Sequence, residues 1–186
     1  MWADEFDGAR LDESKWGAVV SDAMPPVRMP RFGAASPHAD CRGYGCVLLG
    51  ACRDAACAEE NVYVSGGRLV LRSERRELHG RPLATGAVST WGRAAWRASD
   101  GPFRVCISAT LPGDASGGGR AQGLWPAHWM MPHDDSCDPD EGEMDIMEMV
   151  NGDPVGYSTY HWQNSYPAAR CAFPSVASAQ LSSCFA

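Results

Sequence analysis

No stretch of the chain approaches the roughly 20 consecutive apolar residues that a membrane-spanning helix requires. The opening Met1-Trp2-Ala3-Asp4-Glu5 has neither a basic region nor an apolar run behind it, so no signal peptide is expected within this sequence. Basic residues are few: 16 Lys and Arg stand against 23 Asp and Glu, a net charge of -7. A nucleic-acid surface needs a basic stripe, and none is present. No Cys-x-x-Cys pair occurs and no His stands at knuckle spacing, which weighs against a zinc module. Amphipathic helical periodicity is missing, and so is any internal repeat. Neither nucleic acid nor a membrane is therefore expected among the partners.

What is present suits a single domain. The chain has 186 residues, 45% of them hydrophobic, with 20 Gly and 13 Pro to make turns. Its eight cysteines (Cys41, Cys46, Cys52, Cys57, Cys106, Cys137, Cys171 and Cys184) are an even count. Disulfides in an oxidising compartment are the favoured reading, over a metal site built from the first four. Residues 21–60 are rich in Pro, Gly and Cys, and a loop of that length is expected to be stapled.

From Asn61 onward the pattern is that of strands. Val62–Val64 and Leu69–Leu71 flank Ser65-Gly66-Gly67-Arg68, a hairpin signal because glycine accepts the positive φ of tight primed turns. Ala87–Trp91 is expected as a short strand. Phe103, Val105, Ile107, Ala109 and Leu111 alternate with polar or small residues, the period of a half-buried strand. Further strands are expected at Gly123–Met131, Glu143–Met149 and Tyr157–Trp162, with a polar loop at Pro132–Gly142. The tail from Gln163 carries no assignable element. Many short strands joined by Gly- and Pro-rich turns point to an all-β, antiparallel sandwich.

One stretch stands out on physical grounds. Glu143-Met144-Asp145-Ile146-Met147-Glu148 sets three carboxylates into a strand-length run among apolar residues. Removing water from a carboxylate costs several kcal/mol unless a partner is supplied. Glu143 and Asp145, two apart, project from the same face. Glu148 faces the other way on a regular strand, but one bulge between Asp145 and Glu148 returns it to their side. Met144 and Ile146 are then expected to face the core. Two carboxylates on one face suit glycoside hydrolysis, in which retaining enzymes hold nucleophile and acid roughly 5–5.5 Å apart. The aspartate between them can share a proton and help keep their pKa values apart.

Structural readings compete with catalysis. An acidic strand edge resists aggregation. An ion-pair cluster is a second option, although no Lys or Arg lies between Gly123 and Cys137 or within the strand. A calcium loop fails, because aligning Gly142 to its invariant glycine puts Cys137 and Pro139 at ligand positions. Spacing alone leaves catalysis and structure both open. Trp125 and Trp129, four apart and just upstream, suit stacking on the C–H faces of sugars, with core filling the competing role. His161 is either a cleft residue or a satisfied structural histidine.

These residues resemble glycoside hydrolase family 16. Glu143-Met-Asp-Ile-Met-Glu148 is similar to its Glu-x-Asp-x-x-Glu signature, in the bulged form of laminarinase-like members. The shorter Glu-x-Asp-x-Glu form typifies lichenases and xyloglucan-modifying members. Asp4-Glu5-Phe6-Asp7-Gly8, the Glu60–Leu71 hairpin, Gly123-Leu-Trp-Pro-Ala-His-Trp129 and Tyr160-His161-Trp162 resemble the family in the same order. The resemblance implies a concanavalin A-like β-jelly roll with a sugar cleft, spread over residues 1–186 as one domain that is incomplete on its C-terminal side. It implies Glu143 as nucleophile, Glu148 as general acid/base and Asp145 as assisting carboxylate. Trp125, Trp129, His161 and Asn61 would line the cleft. The implied reaction is retaining endo-hydrolysis of a β-1,3- or mixed β-1,3/1,4-glucan. No cofactor is needed, although some members carry a structural calcium on the outer face. A monomer in the secretory pathway or outside the cell is expected. The alternatives are a non-catalytic β-glucan-binding module, an inactive fragment, a transglycosylase, or an enzyme for another polysaccharide.

Overall fold

The computed structural model describes residues 1–20, 46–49, 55–97, 100–113, 121–131, 143–163 and 176–180. Twelve strands run through them, with no α-helix among the described residues. In chain order they are β1 (Gly17–Ala18), β2 (Cys46–Leu49), β3 (Ala56–Cys57), β4 (Val62–Val64), β5 (Leu69–Leu71) and β6 (Ser73–Glu74). They continue with β7 (Ala84–Thr85), β8 (Val88–Ser89), β9 (Ala127–Met131), β10 (Glu143–Glu148), β11 (Tyr157–Gln163) and β12 (Val176–Gln180). The chain divides into two compact units, Met1–Pro37 with Leu49–Ala94, and His38–Leu48 with Ala95–Ala186.

In the first unit, β4 and β5 form the expected hairpin, with Val62 opposite Leu71 and Val64 opposite Leu69. Ser65 and Arg68 exchange backbone hydrogen bonds of 2.9 and 3.2 Å around Gly66 and Gly67, whose φ values are 59° and 69°. Positive φ at both central residues is what a primed two-residue turn demands. β1 pairs with β8, and β7 lies between β6 and β3. The β3–β7 pairing is parallel, a departure from the antiparallel rule expected for the chain. Val19, Cys57 and Ala87 cluster in the core. Cys57 is disulfide-bonded, whereas Cys106 is a free, exposed thiol. Trp16 is buried against Trp2 and Phe6, with ring centroids 5.2 and 5.9 Å away, and its indole N–H donates to Asp4 Oδ2 at 3.0 Å. The acidic opening block thus anchors an aromatic cluster.

The second unit carries β9, β10, β11 and β12 as consecutive antiparallel neighbours. β9 begins at Ala127 rather than Gly123. Pro126 has no N–H to complete a ladder step, although its carbonyl and that of Leu124 still accept from the Met149 and Asn151 N–H groups at 3.1 and 2.8 Å. β12, with Ala177 opposite Trp162, is a strand that sequence reasoning left unassigned. After Val176 its Val-Ala-Ser-Ala-Gln run lacks the β-branched and aromatic residues that mark strands. The strand expected at Phe103–Leu111 is not formed. Val105 and Ile107 are half-buried between exposed neighbours, but Ile107 is the single bridge residue of that stretch. Alternation sets which side chains are sheltered, while a strand also needs a neighbour to take its backbone bonds. The strand expected at Ala87–Trp91 shrinks to β8. The Pro132–Gly142 loop lies outside the described residues, as do residues 21–45 of the Cys-rich segment.

Candidate active site

The acidic strand is β10, and its ladder is interrupted where the spacing requires. Against β11 the register runs Glu143↔His161 and Asp145↔Thr159, then shifts so that Glu148 faces Tyr157. Against β9 it runs Asp145↔Trp129, then shifts so that Met147 faces His128 and Glu148 faces Ala127. The bulged strand takes one step more than either neighbour between Asp145 and Glu148. Residues opposite one another in an antiparallel pair share a face. The site face therefore reads in rows: Ala127, Glu148, Tyr157; then Trp129, Asp145, Thr159; then Glu143 with His161.

Asp145 is the buried centre of this face. Its Oδ2 lies 2.8 Å from His161 Nε2. Burial pushes the Asp145 carboxyl up; the charge of His161 and hydrogen bonds with Glu143, His161 and Glu148 oppose that rise. Glu148 is also held above its ordinary value, first by burial and then by the charge of Asp145. The indole N–H of Trp125 donates to Glu148 Oε1 at 2.8 Å and pulls the other way. One glutamate kept toward its neutral form and linked through Asp145 to a second is the electrostatic pattern of an acid and a nucleophile with separated roles.

The expected binding residues divide. Trp125 is 49% exposed and reaches Glu148. Trp129 is 7% exposed, so it packs beside Asp145 as a core residue and offers no open ring face. His161 holds Asp145. Asn61 is corrected to a structural role: it is 1% exposed, its amide donates to the Arg72 and Ala84 carbonyls, and its oxygen accepts from Arg76. Its backbone carbonyl also crowds the position where a side chain on residue 86 would begin, which requires Gly86. Met144 and Ile146 are half-buried, whereas Met147 and Met149 fill the core. The bulge hands the inward position to Met147. Sequence reasoning missed Tyr157 and Thr159, whose place beside the acids depends on a register that only pairing reveals.

Donor atoms of Glu143, Asp145 and His161 lie within 4.8 Å of one another, near enough to hold a cation. An imidazole does not suit calcium, which takes oxygen ligands, so this cluster does not fit a structural calcium. On the opposite face of β9, both ring nitrogens of His128 are shut from solvent with no hydrogen-bond partner among the described residues. Burial lowers its pKa to about 4, with the Ala127 backbone opposing.

No protein-family model matches the chain. A beta-glucanase of Rhodothermus marinus is 31% identical over 167 residues, covering 87% of this chain and 47% of the relative. The solved laminarinase from the same organism is 26% identical, with a TM-score of 0.53 over 87% of this chain and 54% of that one. The endo-beta-1,3-glucanase from Pyrococcus furiosus, 19% identical, superposes with a TM-score of 0.56 over 98% of this chain and 60% of its own. These likenesses agree with the resemblance to laminarinase-like members of glycoside hydrolase family 16 carried by the sequence motifs. The fold is an all-β jelly roll like that of these solved structures. The chain spans about half the length of the relatives it matches.

Proposed function

We propose that this chain carries the catalytic face of a retaining endo-β-glucanase acting on β-1,3- or mixed β-1,3/1,4-glucans. The observation that carries the reading is the bulge in β10, which returns Glu148 to the face of Glu143 and Asp145. Glu143 attacks the anomeric carbon and forms a glycosyl ester, while Glu148 protonates the departing oxygen. Glu148 then takes a proton from water as that water opens the ester. Asp145, bonded to His161, holds the charge balance between the two glutamates. The named activities of the relatives, a beta-glucanase and an endo-1,3-beta-glucosidase, support the substrate class. Retention of both glutamates and the aspartate speaks against a purely binding module.

The reading extends to one domain over 1–186, acting as a monomer outside the cell, with the cysteine count as its support. Reducing-sugar release from laminarin by the intact protein, lost in Glu143→Gln, is the expected result. Release that survives the substitution would overturn the assignment.

A further inference from the structure

Tyr157 belongs to no role assigned so far, yet it stands directly opposite Glu148 on β11 and is 39% exposed. On the other side of the same glutamate, Trp125 lies two residues before Ala127, Glu148's partner on β9, and is 49% exposed. Ala127 offers only a methyl group, which leaves room for the indole to reach over it to Glu148. The carboxyl that would donate the proton is therefore flanked by two exposed aromatics, Tyr157 on β11 and Trp125 just ahead of β9. An aromatic face is apolar and electron-rich, and it complements the axial C–H bonds of a β-linked pyranose, whose hydroxyls project around the rim.

We propose that Tyr157 is a sugar-binding residue that works with Trp125, the two rings seating pyranose units adjacent to the oxygen that Glu148 protonates. The occupant is a neutral β-linked glucan, because the rows of this face carry the carboxylates of Glu143, Asp145 and Glu148 and no Lys or Arg to pair an anionic one. Thr159, half-buried between Tyr157 and His161 on the same face, adds a hydroxyl within the row and no bulk that would block a ring. This inference rests on the glucanase reading for the identity of the sugar.

The test is binding of a β-1,3-gluco-oligosaccharide to the intact protein by calorimetry, in the Glu143→Gln background so that nothing turns over. Tyr157→Ala is expected to weaken Kd about five- to tenfold, while Tyr157→Phe, which keeps the ring, stays within about twofold. An unchanged Kd in Tyr157→Ala, with its thermal unfolding intact, overturns the proposal. Comparing glucan with an aryl β-glucoside then locates the platform: a loss confined to glucan puts Tyr157 on the leaving-group side, and a loss on both puts it on the glycone side. Failure of the parent reading looks different. Tyr157-dependent binding without reducing-sugar release would leave the platform standing and remove the hydrolase, whereas release insensitive to Tyr157→Ala would do the reverse.

Discussion

His161 pairs in register with Glu143, yet its ring nitrogen bonds diagonally to Asp145 at 2.8 Å. The imidazole thus links the residue it faces to the residue beside it. Removing it in His161→Ala leaves a buried carboxylate short of a hydrogen bond that involves a charged group, worth roughly 1.5–3 kcal/mol. A fall in kcat of about 10- to 100-fold with little change in KM is expected. Steady-state kinetics on laminarin reads this directly, and an unchanged kcat would mean that Asp145 holds its place without the histidine.

Glu148→Gln removes the carboxyl proposed as the proton donor. The rate on glucan is expected to drop by about 10²- to 10⁴-fold. An aryl β-glucoside whose leaving group departs unprotonated should lose far less in its first step. Equal losses on both substrates would argue against proton donation by Glu148.

Trp125→Phe keeps an aromatic ring and deletes the N–H that favours the Glu148 carboxylate. Without that donor the Glu148 pKa rises further above its ordinary value. The acid works in its protonated form, so activity falls as pH climbs through this pKa. The basic limb of the kcat/KM profile is therefore expected to move to higher pH. A limb that stays put would show that the indole bond does not bear on Glu148 titration.

His128 links stability to pH. Its folded pKa of about 4 lies below the ordinary 6.5, so between those values the unfolded chain binds the proton that the folded one refuses. The stabilisation is complete above about pH 6.5 and is lost as pH falls toward 4, with a ceiling of about 3 kcal/mol. His128→Leu has no ring to protonate and leaves no unpaired nitrogen. Denaturant unfolding followed from pH 7 to pH 4 is expected to show a shallower decline for the variant. Parallel declines would place the acid sensitivity elsewhere.

Much of the site was legible because charge on a strand is costly and therefore informative. Three carboxylates at positions 143, 145 and 148 share a face only through a bulge, and the register shift lies where that reasoning puts it. The hairpin at Gly66-Gly67 was legible for a similar reason, since few residues accept its φ values. The strand at 103–111 misled because alternation reports shelter and cannot report a pairing partner. β12 was invisible because alanine and serine carry little strand signal. Asn61 was misassigned because an amide in a motif looks the same whether it meets a sugar or two backbone carbonyls. Tyr157 escaped notice because cross-strand neighbours are set by register, which no single strand encodes.

The bulge in β10 also turns the spacing of the acids into a matter of parity. On an unbroken ladder, an even number of steps keeps a side chain on its side and an odd number sends it across. Five steps separate Glu143 from Glu148, and the bulge absorbs the odd one. Deleting a single residue at Ile146 or Met147 would yield four steps and an unbroken ladder, with the acids still together. Inserting one would give six steps around a surviving bulge and send Glu148 into the core. The shorter and longer signatures of family 16 are, in this sense, two solutions to the same arithmetic, and only the route between them through a lost residue keeps the acids facing one another's substrate.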